Sequence, residues 1–362
     1  MSAANRPHTR EALAALPAYT PGRTVPGAIK LASNEMPFPP LASVAAAITA
    51  AALEMNRYPD NGAQALVGAL ADRLAVDPAQ IVVGCGSVSL CEQLVQATCT
   101  ETSEVIFGWR SFEAYPIIAA VVGARAVPVP VTAEESLDLD AMAAAITPAT
   151  RLIFVCNPNN PTGTALTAAE LETFLAKVPS EVLVVVDEAY REFIDDETIP
   201  DGVEFARGRT NVVVLRTLSK AYGLAGLRVG YSVSDPEVAV ALRKVAIPFA
   251  VSSVAQAAAL ASLAAADELL DRCRIVVAER HRVRDELIAG GYTVPTTQAN
   301  FVWLPLRDNA AGFAAHCEDH AIIVRPFNDA ANGGVRITIG SAAENTRFLA
   351  AAAAWTGPRT LS

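Results

Sequence analysis

The chain has 362 residues, 52% of them hydrophobic and 18% charged, with 28 basic against 38 acidic side chains and a formal charge of −10. Its length exceeds what one hydrophobic core serves, so two domains are expected, and the acidic balance leaves no basic stripe for nucleic acid. No stretch gives about twenty residues free of polar interruption, and Met1 to Leu16 hold no continuous apolar segment, so a soluble, cytoplasmic protein without membrane contact is expected.

Residues 1–40 are proline-rich and aperiodic, with Pro17, Pro21, Pro26, Pro37, Pro39 and Pro40, and read as an extended arm. From about residue 41, alanine-rich helical patterns alternate with short apolar runs at residues 81–83, 104–107, 152–155, 182–186 and 212–215. Strands alternating with helices predict an α/β domain over 41–245 with a mostly parallel sheet between helices. A long helical stretch from Pro236 to Gly290, then short strands at residues 301–304, 322–324 and 335–339, predicts a smaller α+β domain over 246–362. The six cysteines, at 85, 91, 99, 156, 273 and 317, form no C-x-x-C pair and read as reduced core residues.

Several motifs fall at the ends of these runs. Gly84-Cys85-Gly86-Ser87-Val88-Ser89 follows one apolar run and opens a helical pattern, where free backbone N–H groups can hold a phosphate. It lacks the third glycine of a dinucleotide site and the Gly-Lys-Ser/Thr end of a nucleotide loop, and a plain glycine turn stays open beside the phosphate reading. Phe112, just past another strand end, suits stacking on a ring or packing in the core. Asn157-Pro158-Asn159-Asn160-Pro161-Thr162-Gly163 follows residues 152–155, at the end of the sheet where open α/β folds bind ligands. It reads as an ordinary turn or as one presenting Asn160 to a crevice.

Asp187, in Val186-Asp187-Glu188-Ala189-Tyr190, ends an apolar strand, where a carboxylate is costly without a cationic partner; capping of the next helix is the competing account. Thr217-Leu218-Ser219-Lys220 and Arg228 place one lysine among small residues with an arginine eight positions on. A lysine stores a carbonyl cofactor as a Schiff base, and pyridoxal phosphate (PLP) is the common one; Ser219 and Arg228 suit its phosphate. Arg325 and Arg336, at or within apolar strands, call for an anion, either a substrate group or a protein carboxylate. His316 and His320 flank Glu318 in an order unlike a zinc helix, with no third ligand, so no metal site is expected.

With Asn160, Asp187, Tyr190, Ser219, Lys220 and Arg228 in this order, the chain resembles the fold-type I PLP-dependent aminotransferases, in the histidinol-phosphate aminotransferase branch. Leu31-Ala32-Ser33-Asn34-Glu35, Arg57-Tyr58-Pro59-Asp60 and Ala299-Asn300-Phe301-Val302 extend the match over nearly the whole length. The resemblance implies a Schiff-base and proton-carrying role for Lys220, Asp187 on the pyridine nitrogen, and Asn160 and Tyr190 on the phenolate oxygen. It implies Ser219, Arg228, Ser87 and the Val88 backbone on the phosphate, with Tyr58 reaching it from a partner subunit, and Phe112 stacked on the ring. Arg336, Arg325, Tyr19 and Asn34 fall to substrate.

It further implies a homodimer with shared active sites, in which residues 1–40 join the small domain and the interface. The segments around Ser87, Phe112 and Pro248 look most like the actinobacterial aromatic (phenylalanine) aminotransferases, and Val88 stands where histidinol-phosphate enzymes commonly carry an acid. The expected reaction is transamination between an aromatic amino acid and 2-oxoglutarate. Histidinol-phosphate transamination is the nearest alternative, followed by a PLP lyase or decarboxylase and then by a non-catalytic PLP-binding protein.

Overall fold

The computed structural model describes Arg10, Leu13, residues 23–329 and residues 331–360. In chain order the strands are β1 (Ile29–Lys30), β2 (Ile81–Gly84), β3 (Glu104–Trp109), β4 (Arg125–Pro130), β5 (Thr150–Cys156), β6 (Leu183–Asp187), β7 (Val212–Thr217), β8 (Gly230–Val233), β9 (Phe301–Leu304), β10 (Ile322–Ile323), β11 (Arg325–Phe327) and β12 (Gly334–Thr338). The helices are α1 (Ala42–Ala52), α2 (Gln64–Leu74), α3 (Gly86–Thr98), α4 (Ala114–Val122), α5 (Leu139–Ala144), α6 (Ala168–Leu175), α7 (Gly202–Phe205), α8 (Pro236–Val245), α9 (Ser253–Ala264), α10 (Ala266–Ala289), α11 (Ala310–Asp319) and α12 (Ala342–Ala354).

Seven strands form one sheet in the order β2-β8-β7-β6-β5-β3-β4. The pairs β7-β6, β6-β5, β5-β3 and β3-β4 are parallel, and β8 runs antiparallel to both its neighbours. Its central strands are apolar through their middles because both faces are covered there. Along β5, Leu152, Phe154 and Cys156 enter one core while Ile153 and Val155 enter the other. That alternation is the period of two that a strand imposes.

β9, β11 and β12 make an antiparallel sheet in the order β11-β12-β9, and β1 pairs in parallel with β10. The run expected at residues 322–324 therefore divides: β10 pairs with β1, the chain switches sheets at Val324, and Arg325 lies inside β11 rather than after a strand.

The helical stretch expected from 236 to 290 is three helices. α8 stops at Val245 shortly before Pro248, which has no N–H to offer a continuing helix, and α9 restarts where the Ser252 side chain accepts from the Ala255 N–H. Among the described residues no single helix is long and apolar enough to cross a membrane, and α9 and α10 meet at a bend of 79°.

Candidate active site

The carboxyl ends of β3, β5, β6 and β7 gather at one edge of the large sheet, and β11, β12 and residues 32–34 close over them around a cavity of about 240 Å³. This is the place where an open α/β sheet offers its strand ends to a ligand. Ser87, Val88, Phe112, Asn160, Asp187, Tyr190, Ser219, Lys220, Arg228, Arg325, Arg336 and Asn34, scattered over three hundred residues of sequence, all line it.

Lys220 stands just past β7 and donates from Nζ to the Ser33 carbonyl at 3.1 Å. Burial, and then the charge of Arg336, bring its pKa down from 10.5 to about 7. A lysine in that state has an appreciable neutral fraction near pH 7, so its amine is a nucleophile rather than a fixed cation.

Asp187 ends β6 and lies directly across from Cys156 of β5. Its Oδ2 accepts from the Tyr115 hydroxyl at 2.8 Å, whereas Oδ1 is buried and has no hydrogen-bond partner among the described residues. Burial raises the carboxyl to about 6 against the opposing hydrogen bond from Tyr115. A bare, buried carboxylate oxygen aimed into a cavity fits a cationic N–H donor. The capping alternative drops out, since the next helical turn, Arg191–Phe193, starts at Tyr190 with no side-chain cap. Glu188 turns the other way and pairs with buried Arg216 at 2.7 Å, which keeps its charge out of the cavity.

Tyr115 is a residue that the sequence reading passed over. It is fully buried, stacked on Phe154 with ring centroids 4.3 Å apart, and touches Phe112 edge-on at 5.5 Å. Its local signal in the sequence is the aromatic pair Phe112 and Tyr115 behind a strand end.

Tyr190 accepts from Asn34 Nδ2 at 2.9 Å, and Asn34 is held by Thr338, so the tyrosine is oriented from β12. The Asn34 side chain is thus engaged within the cavity wall. Asn160 Oδ1 accepts from Arg336 Nη1 at 2.5 Å, and Arg336 Nη2 donates to the Ala32 carbonyl at 2.7 Å. Arg325 has a carboxylate within the chain: Nη2 donates to Glu113 Oε2 at 3.0 Å. The salt-bridge reading of Arg325 is therefore the observed arrangement.

An anion cradle occupies the other end. α3 begins at Gly86 with no side chain capping it, which leaves first-turn N–H groups at Ser87 and Val88 directed outward. Arg228 Nη1 approaches Ser219 Oγ at 3.3 Å. Gly86 has φ +75°, and a Cβ there would sit 2.4 Å from Arg228 Nη2, so only glycine leaves the guanidinium in place.

Tyr58 does not line this cavity; it is 83% exposed and stacks on Phe249 at 4.7 Å. Tyr19 lies outside the described residues. His316 Nε2 donates to the Ala351 carbonyl.

The residues fit PLP on their own chemistry. A half-buried lysine with an appreciable neutral fraction, a buried carboxylate oxygen suited to a ring N–H and an anion cradle at Gly86 stand around one cavity.

Comparison with known proteins agrees. The family model for aminotransferase class I and II matches residues 26–351. An aromatic amino acid aminotransferase of Rhodococcus jostii is 62% identical over 344 residues, 95% of each chain. One of Streptomyces coelicolor is 56% identical over 347 residues, 95% of this chain and 96% of that one. The crystal structure of a histidinol-phosphate aminotransferase from Sinorhizobium meliloti, in complex with pyridoxal-5'-phosphate, superposes with a TM-score of 0.87 at 30% identity over 97% of this chain and 98% of that one. With a site that fits the cofactor and a match along almost its whole length, the chain belongs to the aminotransferase class I and II family and is a PLP-dependent transaminase.

Proposed function

We propose that this transaminase exchanges an amino group between an aromatic amino acid, phenylalanine foremost, and 2-oxoglutarate. When bound, PLP supplies an aldehyde carbon that accepts the amino group and a protonated ring that draws electrons from the substrate Cα. Lys220 would tether the cofactor through its amine and move the proton at the substrate Cα. Asp187 Oδ1 would hold the pyridine N–H, and Tyr190 and Asn160 the phenolate oxygen. Ser87, the Val88 N–H, Ser219 and Arg228 would hold the phosphate, and Phe112 would pack on the ring. Arg336 takes the α-carboxylate, and Asn34 acts by orienting Tyr190.

The observation that carries the aromatic reading is the name shared by relatives 56–62% identical over almost the full chain. The cavity supports it, since Val88, Phe112 and Phe327 give it apolar walls. Histidinol phosphate is the second reading, favoured by the adjacent arginines 325 and 336 and by the 30% identical structural relative. Purified enzyme offered phenylalanine, tyrosine and histidinol phosphate with 2-oxoglutarate decides between them by glutamate formed. Phenylalanine is expected to lead by kcat/KM, and a lead by histidinol phosphate sinks the aromatic reading. Lys220→Ala is expected to abolish turnover with every donor.

We further infer a homodimer in the cytoplasm. Leu53, Met55, Tyr58, Ile247 and Phe249 are exposed apolar side chains, Tyr58 and Phe249 stacked on each other, which suits a second copy, and all six cysteines are free thiols. A large domain over 41–245 and a smaller one over 246–362 accord with the separate sheets, with β1 of the arm joined to the smaller part through β10.

A further inference from the structure

We propose that Glu113 sets the donor preference of this site by holding Arg325, which leaves the end of the cavity that receives the substrate side chain electrically neutral. This rests on the aminotransferase reading above. Among the described residues, Lys220 and three arginines, Arg228, Arg325 and Arg336, line the cavity with two carboxylates, Asp187 and Glu113. Lys220, Arg228 and Asp187 are committed to the cofactor, and Arg336 to the α-carboxylate. Arg325 and Glu113 remain for the side chain.

Arg325 and Arg336 are direct cross-strand partners in β11 and β12. Like charges in that position repel. Both guanidinium carbons lie 5.6 Å from the Phe327 ring centroid, so the two arginines share one apolar wall. Glu113 offsets the repulsion with its 3.0 Å contact to Arg325. A third arginine, Arg110, also lies over Phe327 at 5.5 Å, but its charge is met by Asp329 at 3.2 Å; it stacks on Trp109 at 4.6 Å and reaches Glu113 only at 3.9 Å. Glu113 directly follows Phe112 and precedes α4, so the turn that supplies the ring-covering aromatic also delivers the carboxylate.

A donor with an uncharged aromatic side chain enters without disturbing this pair. A donor with a side-chain phosphate must either take Arg325 away from Glu113 or place its own anion beside that carboxylate, and both cost affinity. Glu113 acts through Arg325 and is a positioning residue for specificity.

The test compares kcat and KM for phenylalanine and for histidinol phosphate in the native enzyme, Glu113→Gln and Glu113→Asp. In Glu113→Gln the ratio of kcat/KM for histidinol phosphate over phenylalanine is expected to rise about tenfold or more, through KM of the phosphate-bearing donor, with kcat for phenylalanine within about threefold. Glu113→Asp, which keeps the charge, is expected to return the ratio toward the native value. Glu113→Gln that leaves the ratio unchanged, or moves both donors by one factor, overturns the proposal.

Should that variant fail to fold, Glu113→Ala is read on the same ratio, which is expected to rise alike, and an unchanged ratio overturns the proposal. The native donor preference alone reports on the aromatic reading, and the change between variant and native enzyme reports on Glu113, so the two fail separately.

Discussion

Single residues carry the chemistry here through mismatches between charge and surroundings. Lys220 and Asp187 were legible in sequence because each is an ionisable group at the end of an apolar run, and such groups are rarely left unused. Tyr115 and Glu113 were not, because what each does depends on a partner far along the chain, 72 residues away for Asp187 and 212 for Arg325.

In the cofactor-free chain the Asp187 carboxyl titrates near 6 rather than 3.8. Between those values the folded state binds more protons than the unfolded one, so Asp187 makes stability fall as pH rises from about 4 to about 6. The loss is on the order of 3 kcal/mol once pH is above the folded pKa. Melting curves of cofactor-free native and Asp187→Asn protein over this range are expected to draw apart in that direction, and parallel curves would refute the shift. Tyr115→Phe removes the hydroxyl donor and keeps the ring stacking, so it is expected to extend the window to higher pH and lower kcat by roughly tenfold or more.

At the scale of elements, the strands that sequence exposed were the buried ones, whose uninterrupted Val, Ile and Leu runs follow from cover on both faces. β4 escaped because it is an edge strand containing Pro128 and Pro130, which an edge tolerates and an apolar-run search does not find. β8 escaped because Gly230-Tyr231-Ser232-Val233 is short and half polar, and its place between β2 and β7 comes from pairing.

That place matters to the site. Gly230 lets β8 run against the start of α3, since a Cβ there would meet the Ser87 nitrogen at 2.5 Å and the Gly86 carbonyl carbon at 2.8 Å. The loop before β8, which carries Arg228, is thereby pressed onto the helix start that holds Gly86. Gly86→Ala adds a methyl group where Arg228 lies and asks an alanine to hold φ +75°. The expected outcome is PLP affinity reduced about tenfold or more, from strain and a displaced guanidinium together. Equilibrium titration followed by cofactor absorbance checks this, and native affinity in a folded variant would remove the cradle assignment.

At the scale of the whole molecule, the exposed ring of Tyr58 bears on assembly. It is joined to the loop after α8 by stacking on Phe249, and the same turn is tied there by the Phe249 N–H donating to Asn61 Oδ1 at 2.6 Å and Gln256 Nε2 to the Asp60 carbonyl at 2.8 Å. These contacts fix an exposed apolar projection that does not line its own cavity, an arrangement that one chain alone gives no reason to keep. If a second copy receives it, Tyr58 serves the partner's phosphate site and Lys220 its own. The two residues then complement across chains, because a closed two-fold dimer repeats the same interface twice. Lys220→Ala and Tyr58→Ala chains, each impaired alone, are co-expressed under different affinity tags and the doubly tagged species is isolated. In that hybrid one site carries both defects and the other neither, so its activity is expected to be about half that of the native dimer. A hybrid no more active than the mean of its parents would place Tyr58 outside the neighbouring site.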